Sequence, residues 1–476
     1  MKLALISSYG EACGNATFSL AIAKTFRDKF DFRVFDLQTA ALIANESLHN
    51  TPGAEEHIDR ICDALKDFDC VNIQLEWGLF GRDPDTIRRR IIKLIKASHR
   101  LIISLHSLHI NEHNRLMQNA VFQALKERDN SLPYWFIVHL PRDVIKLRSI
   151  FGIENVTDYP VIHLSEKEVK DYHARADAAM WKQRHGFNKD DFVIFRSGFM
   201  APHKDHMVSL KALRLLPPNY KLAYGGSEPP AAIQKFVVSP IIQDITTYLD
   251  SIDDAALRER AVSGTTSAGT LGDRVRFLGM QSDEDLYLSM CCADMITITH
   301  LESGQSASGI ASIALQLERP TILSYNKFFI DNEKYYRGGF SFFQIGNHYE
   351  LRDKIMTFDY AQTERLKEYG KIYSIDGLAE LHKKIYADMV AGRVNNSGRK
   401  SNMLAAVIDA PPPPPPSSAS HQPQHNEIAA RQQEVNRIIY AVLWRAVLFA
   451  KRMRSFLRQR RDDMNNMKRT ILKPFS

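Results

Sequence analysis

The feature that most constrains this chain is an alternation: short apolar runs take turns with helix-patterned stretches along most of the sequence. Parallel sheets covered by helices produce that rhythm. In the first half the strand-like runs are Leu3–Ser7, Arg33–Asp36, Cys70–Gln74, Leu101–Ser104, Tyr134–His139 and Val161–His163, separated by helical stretches such as Ala16–Phe30, Ala54–Leu65 and Thr86–Ala97. A second series occupies Asp190–Met200, Tyr220–Gly226, Arg274–Gly279, Ala293–Thr299 and Arg319–Ser324. The joint between the two falls near residues 165–190. An α/β chain of two Rossmann-like domains is expected, with ligands in the cleft beyond the carboxyl ends of the strands.

The length of 476 residues agrees, being too long for one core and enough for two domains plus extras at roughly 100–200 residues each. The opening "MKLALISSYGEACGN" has one early Lys and few apolar residues before its serines, so it reads as a first buried strand and not as a signal. Five cysteines, Cys13, Cys62, Cys70, Cys291 and Cys292, are odd in number and include no Cys-x-x-Cys. They suggest neither a disulfide framework nor a zinc site, and fit a cytoplasmic protein.

Net charge is informative only once it is located. From Glu427 to Ser476 there are twelve Lys/Arg and four Asp/Glu, a net +8 that leaves about −1 of the total +7 for the rest. The basicity belongs to a tail. The segmentation that follows is 1–170, 185–365, closing helices over 366–395 that return to the first domain, a Pro-rich linker over 396–426, and a basic amphipathic helix over 427–476. The linker carries six consecutive prolines among polar residues, so an extended spacer is expected. In the tail the apolar stretch Ile438–Ala450 contains Arg445 and falls short of the ~17 residues needed to span a bilayer. Its aliphatic side and the Lys/Arg crowd from Lys451 to Arg461 suit an anionic membrane surface contacted through 438–461. Self-association is the second reading. A nucleic-acid arm ranks last, because the aromatics lie among aliphatics and do not interleave with the basic run.

Three loops attract attention as phosphate sites. "SSYGEACGNATF" (Ser7–Phe18) leads from a strand through Gly10 and Gly14 into a helix, either to let amides approach an anion or simply to turn tightly. "SGFMAPHKD" (Ser197–Asp205) puts Lys204 at a strand's carboxyl end, as a phosphate partner or a solvated lysine. "THLESGQSASGIASIALQLERPTI" (Thr299–Ile322) passes from a polar loop directly into an apolar helix, with Ser306, Ser308 and Gly309 at its start. "NIQLEWGLFG" adds Gln74 and Glu76, each a possible acceptor contact or a brace.

Taken in order with "LIISLHSLH", "FGIENVTDYPVIH", "KLAYGG" and "RVRFLGMQSDEDLYLSMCCADMITIT", these blocks resemble the retaining GT-B glycosyltransferases of family 4 over roughly residues 1–390. The resemblance implies a GT-B fold whose second domain holds a nucleotide-sugar donor, UDP- or GDP-linked, while the first presents a glycan or glycolipid acceptor. Gly14 matches the glycine loop closing over the diphosphate, Lys204 the diphosphate-binding lysine, and His106 the histidine facing the reacting sugar, with His109 a weaker candidate. Phe199 stands where the family has an arginine, and Arg196 is a candidate substitute. Gln305 and Ile313 stand where it has two glutamates, and Glu302 is the carboxylate able to take over near the sugar.

Retaining transfer of this kind lets the leaving diphosphate accept the acceptor's proton, so charge stabilisation by a helix N-terminus and a lysine is the main requirement and no metal or other cofactor is expected. The chain therefore reads as a retaining hexosyltransferase of polysaccharide biosynthesis, cytoplasmic and peripheral at the inner face of the membrane. The missing carboxylates keep open an impaired GT-B protein serving as a scaffold. A third reading is another GT-B enzyme, such as a sugar phosphorylase or epimerase; for a phosphorylase no lysine stands out to hold pyridoxal phosphate.

Overall fold

The computed structural model describes residues 1–396 apart from 12, 48–51, 109–111, 227–239, 264–269, 302–307 and 395. The chain divides into two compact units, Met1–Leu404 and Ala405–Ser476. The second, with most of the Pro-rich linker and all of the basic helix expected from the sequence, lies outside the described residues.

Within the first unit stand two six-stranded sheets, every pairing parallel. One contains β1 (Lys2–Ser7), β2 (Asp31–Asp36), β3 (Cys70–Leu75), β4 (Leu101–Leu105), β5 (Tyr134–Val138) and β6 (Val156–Asp158), in the order β2-β1-β3-β4-β5-β6. The other contains β7 (Phe192–Ser197), β8 (Tyr220–Gly225), β9 (Val275–Gly279), β10 (Met295–Ile298), β11 (Thr321–Ser324) and β12 (Ser341–Phe343), in the order β12-β11-β10-β7-β8-β9. The strand order reverses between β1 and β3 in the first sheet and between β7 and β10 in the second. Doubly wound sheets open their ligand crevices at such points, beyond the strands' carboxyl ends.

Helices cover both faces because the strands are apolar on both. Under one face of the first sheet, Ile58 and Ile61 of the helix Pro52–Leu65 and Ile91 and Leu94 of Pro84–Ala97 pack with Val71, Ile73 and Ile103. Phe18, Ile22 and Phe26 of Gly14–Lys29 pack on the other face with Leu3, Leu5 and Ile102. The helix Ile375–Val390 follows the second sheet in sequence and lies on that same face of the first, through Ile375, Leu378, Ala379, Ile385 and Met389. At ~1.5–3 kcal/mol for each large apolar side chain buried, this crossing is a substantial part of the first domain's stability.

Two details differ from the pattern read in the sequence. The sixth strand is Val156–Asp158, paired with Phe136–Val138, and Val161–His163 forms no strand. Pro160 has no N–H for a ladder, and the amides of His163 and Leu164 go instead to Gln316 Oε1 at 2.7 and 3.3 Å. The three-residue β12 adds an edge strand that its sequence, "SFF", is too short to announce.

The link between the domains is packed. Gln316 and Ser312 of the helix Gly309–Gln316 bond to the segment Val161–Leu164, and Tyr159 Oη donates to Ser374 O at 2.9 Å. Asp158, at the end of β6, accepts from Lys334 Nζ and Tyr335 Oη, both at 2.6 Å, and Arg142 pairs with Asp331 at 2.9 Å. Among the described residues no helix is long and apolar enough to cross a membrane.

Candidate active site between the two sheets

On the side of the first domain, β1 ends at Ser7 and the chain passes through Gly10, at φ 74°, to the helix starting at Gly14. Cys13 caps this helix, its Sγ accepting from Ala16 N at 3.4 Å. A Cβ at Gly14 would meet nothing within 4 Å, so the protein itself leaves the space over this turn open. His106 follows β4 and is buried, its Nε2 2.8 Å from Gln74 Oε1. The Phe18 ring stands edge-on to His106, His139 and His163, with centroids 5.4, 5.8 and 5.8 Å away. Burial, reinforced by the neighbouring imidazoles, holds His106 well below the usual histidine range, and burial pushes His139 and His163 to about 4. All three are neutral at physiological pH, and hydrogen bonding is what they offer.

Gln74 is fully buried on β3, and its polar groups are turned toward protein partners. Glu76 is half-buried beyond the end of β3 and accepts from Ser107 Oγ at 2.9 Å, so its carboxylate fastens the loop just after His106.

On the side of the second domain, β7 runs into Gly198 at φ 108°, a conformation that side chains resist. The space is also taken, since a Cβ there would lie 2.2 Å from Lys204 Nζ and 3.8 Å from Ile310 Cγ1. The ammonium of Lys204 is thus folded over Gly198, beside the first turn of the helix Gly309–Gln316. Burial, with Arg196 nearby, depresses Lys204 to about 8. No carboxylate faces its ammonium among the described residues. The loop is fixed from below: Lys204 O accepts from Arg196 Nη2 at 2.5 Å and Thr299 Oγ1 at 2.8 Å, and Asp205 O accepts from the same two side chains at 3.2 and 2.9 Å. Arg196 is therefore turned into the protein and buried over the Tyr224 ring, and its fork secures the loop rather than meeting a phosphate.

Ser308 caps the helix Gly309–Gln316 through Ala311 N at 3.4 Å. Gly309 abuts His163, where a Cβ would come within 3.3 Å of the ring. The first domain's linker thus touches the helix end that carries the partial positive charge. Ile313, where the resemblance read in the sequence would put a glutamate, is buried in the apolar cluster with Val193 and Ile296. Glu302, Gln305, Ser306 and His109 lie outside the described residues.

Two residues of this arrangement escaped the reading of the sequence. Thr299 had a signal, its position directly after β10 at the switch point. His163 had none, because its importance comes from meeting a glycine far along the chain. Among the described residues no group of His, Cys, Asp or Glu is placed to hold a metal ion.

No protein-family model matches the chain, and no curated protein matches it. Solved structures do. HepE of Anabaena in complex with UDP-glucose is 15% identical, with TM-score 0.56 over 82% of this chain and 99% of that one. A glycosyltransferase of Rickettsia africae is 12% identical, with TM-score 0.58 over 82% and 98%. Sucrose-phosphate synthase of Thermosynechococcus elongatus is 15% identical, with TM-score 0.53 over 82% and 99%. At such identities the likeness shows the fold: the two facing doubly wound sheets form a GT-B architecture.

Proposed function

We propose that the protein is a glycosyltransferase that moves a hexose, with retention of configuration, from a UDP- or GDP-linked sugar to a hydroxyl of a glycan or lipid-linked glycan. One observation carries this reading. The Lys204 ammonium is desolvated, has no carboxylate partner among the described residues, and sits over a glycine beside a helix N-terminus at the switch point of the second sheet. A cation kept in that state is stabilised by an anion arriving from solution, and a diphosphate also satisfies the free amides of the helix. One structural neighbour, HepE, was solved both with UDP and with UDP-glucose, which supports the same class of donor.

In this reading Lys204 and the turn Ser308–Gly309 take the charge that develops on the leaving diphosphate, Gly14 lets the opposite loop approach it, and His106 faces the sugar. Glu302, Gln305 and Ser306 belong to the same loop by sequence. Glu76 and Gln74 border the acceptor side by shaping the loop around His106. The net +8 of the basic tail supports a position at the inner face of the membrane, next to a lipid-linked acceptor.

Ile313 favours a second reading, a GT-B protein that binds or scaffolds without transferring sugar, because an apolar side chain sealed in the core cannot hold ribose hydroxyls. Thermal-shift measurements with UDP, GDP, ADP and their glucose and mannose conjugates separate the two. Transfer predicts stabilisation by one nucleoside diphosphate and its sugar, lost in Lys204→Ala. Absence of a shift with every nucleotide would leave the scaffold.

A further inference from the structure

The contact between Gln74 and His106 is the last link of a buried chain of hydrogen bonds that begins on the crossing helix. His382, on Ile375–Val390 and fully buried, has Nδ1 2.8 Å from Leu378 O and Nε2 3.2 Å from Asn72 Nδ2. The Asn72 carbonyl accepts from Gln74 Nε2, and Gln74 Oε1 meets His106 Nε2 at 2.8 Å. Asn72 and Gln74 lie two apart on β3 and so share a face. Beside them β4 runs in register, with Asn72 opposite Ile102 and Gln74 opposite Ser104.

The direction of every bond in this chain follows from its first. A carbonyl only accepts, so Nδ1 of His382 bears the proton, and burial keeps this ring neutral with its value pushed to about 4. Nε2 of His382 then has only a lone pair, and Asn72 must present its NH2 group there. Ile102 O, 3.4 Å from Asn72 Nδ2, independently requires the same orientation. The Asn72 oxygen consequently faces Gln74, which must donate, leaving Gln74 Oε1 to accept from His106. The proton of the neutral His106 ring therefore sits on Nε2, and Nδ1 keeps a lone pair without a protein partner among the described residues.

We infer that His382, acting through Asn72 and Gln74, is a positioning residue that fixes His106 in its Nε2–H tautomer, so that the ring offers the cleft an acceptor for a hydroxyl. An acceptor repels phosphate and carboxylate oxygens and rewards a sugar O–H. The relay thereby gives His106 a preference for the sugar part of a donor over its charged part. This step rests on the proposed function only for the identity of the hydroxyl; the tautomer itself does not depend on it.

The test uses the full chain with 15N-labelled histidine. Long-range proton–nitrogen NMR of the free protein, with the His106 signals assigned by their loss in His106→Asn, is expected to show pyrrole-type Nε2 and pyridine-type Nδ1 at His106, and the reverse at His382. His382→Leu removes the acceptor for Asn72, and Gln74→Leu cuts the relay beside His106; either should let the His106 signals move to a mixture of tautomers. His382→Gln supplies an acceptor again and should restore the single form. The second arm compares affinities for UDP and UDP-glucose. His382→Leu should leave UDP binding unchanged, and both leucine variants should reduce the gain from glucose by up to about tenfold, one hydrogen bond's worth. An Nδ1–H tautomer in the unmodified protein, or a single unchanged tautomer in both leucine variants while they remain folded, would overturn the inference. Failure of both nucleotides to bind, with the tautomers as stated, would instead count against the proposed donor and leave the relay standing.

Discussion

At the scale of a residue, Lys204 concentrates the chemistry of the cleft. Its ammonium is depressed to about 8 by burial and by Arg196, against an ordinary value of 10.5, so between those limits the unfolded chain holds a proton the folded one has released. Unliganded stability therefore gains from this group as pH rises through that window, while affinity for an anion falls, because the free lysine loses its charge near pH 8. Titrating UDP-glucose affinity between about pH 7 and 9 should show binding weaken above 8, and Lys204→Met should both weaken binding and abolish the dependence. The same substitution should raise unliganded stability by on the order of 1–3 kcal/mol, since an apolar side chain suits that buried place better than an unpaired cation. A pH-independent affinity in the unmodified protein would show that Lys204 does not meet the ligand's charge. Gly14 gives the complementary test. Open space surrounds it, so Gly14→Ala should fold with unchanged or slightly higher Tm, a helix favouring alanine, yet bind nucleotide less well if a diphosphate comes down on that turn. Calorimetric titration with UDP measures both variants.

At the scale of elements, the loop that carries Lys204 is held in place by its neighbours. Thr299, directly after β10, shares its hydroxyl between Lys204 O and Asp205 O and so joins the two strand ends that flank the switch point. Thr299→Val keeps the branched shape while leaving those carbonyls to Arg196 alone. It should lower stability by about 1 kcal/mol in urea unfolding and weaken UDP-glucose binding several-fold; full affinity after that loss would mean that the loop's position does not govern the site. Elements of this kind were legible in proportion to how local their cause is. Buried parallel strands read as apolar runs, and Gly14, Lys204, Ser308 and Gly309 lie in the loops or helix starts that follow strand ends, so their place in the fold is readable. Val161–His163 reads as the sixth strand because it is more apolar than Val156–Asp158, the segment that forms it, and a side chain from another domain, Gln316, takes the amides of His163 and Leu164. Gln74 was readable as a polar residue in an apolar strand, but its partnership with Asn72 and His382 was not. The Asn72–His382 bond spans 310 residues, and nothing near either residue signals the other.

At the scale of the molecule, the charge division poses the remaining question, because a body of about −1 is joined to a tail of +8 through a spacer with six consecutive prolines. A nearly neutral body has little reason to approach an anionic surface by itself, whereas each Lys or Arg near such a surface contributes about 1 kcal/mol and the adjoining aliphatic residues add burial. Membrane contact should thus reside wholly in the tail and depend on charge. Met1–Leu404 forms its own compact unit with its own cores, so a chain ending at Leu404 is a fair comparison for the full one. On vesicles containing phosphatidylserine the full chain should float and the shortened chain should remain in solution. Neutral phosphatidylcholine vesicles should capture neither, and raising salt should release the full chain as screening shortens the reach of its charges. Equal flotation of both chains would put the contact on the body. If the full chain fails to float yet sediments as a larger species than the shortened one, the tail joins copies of the protein, and a lipid-linked acceptor loses its support from this part of the sequence.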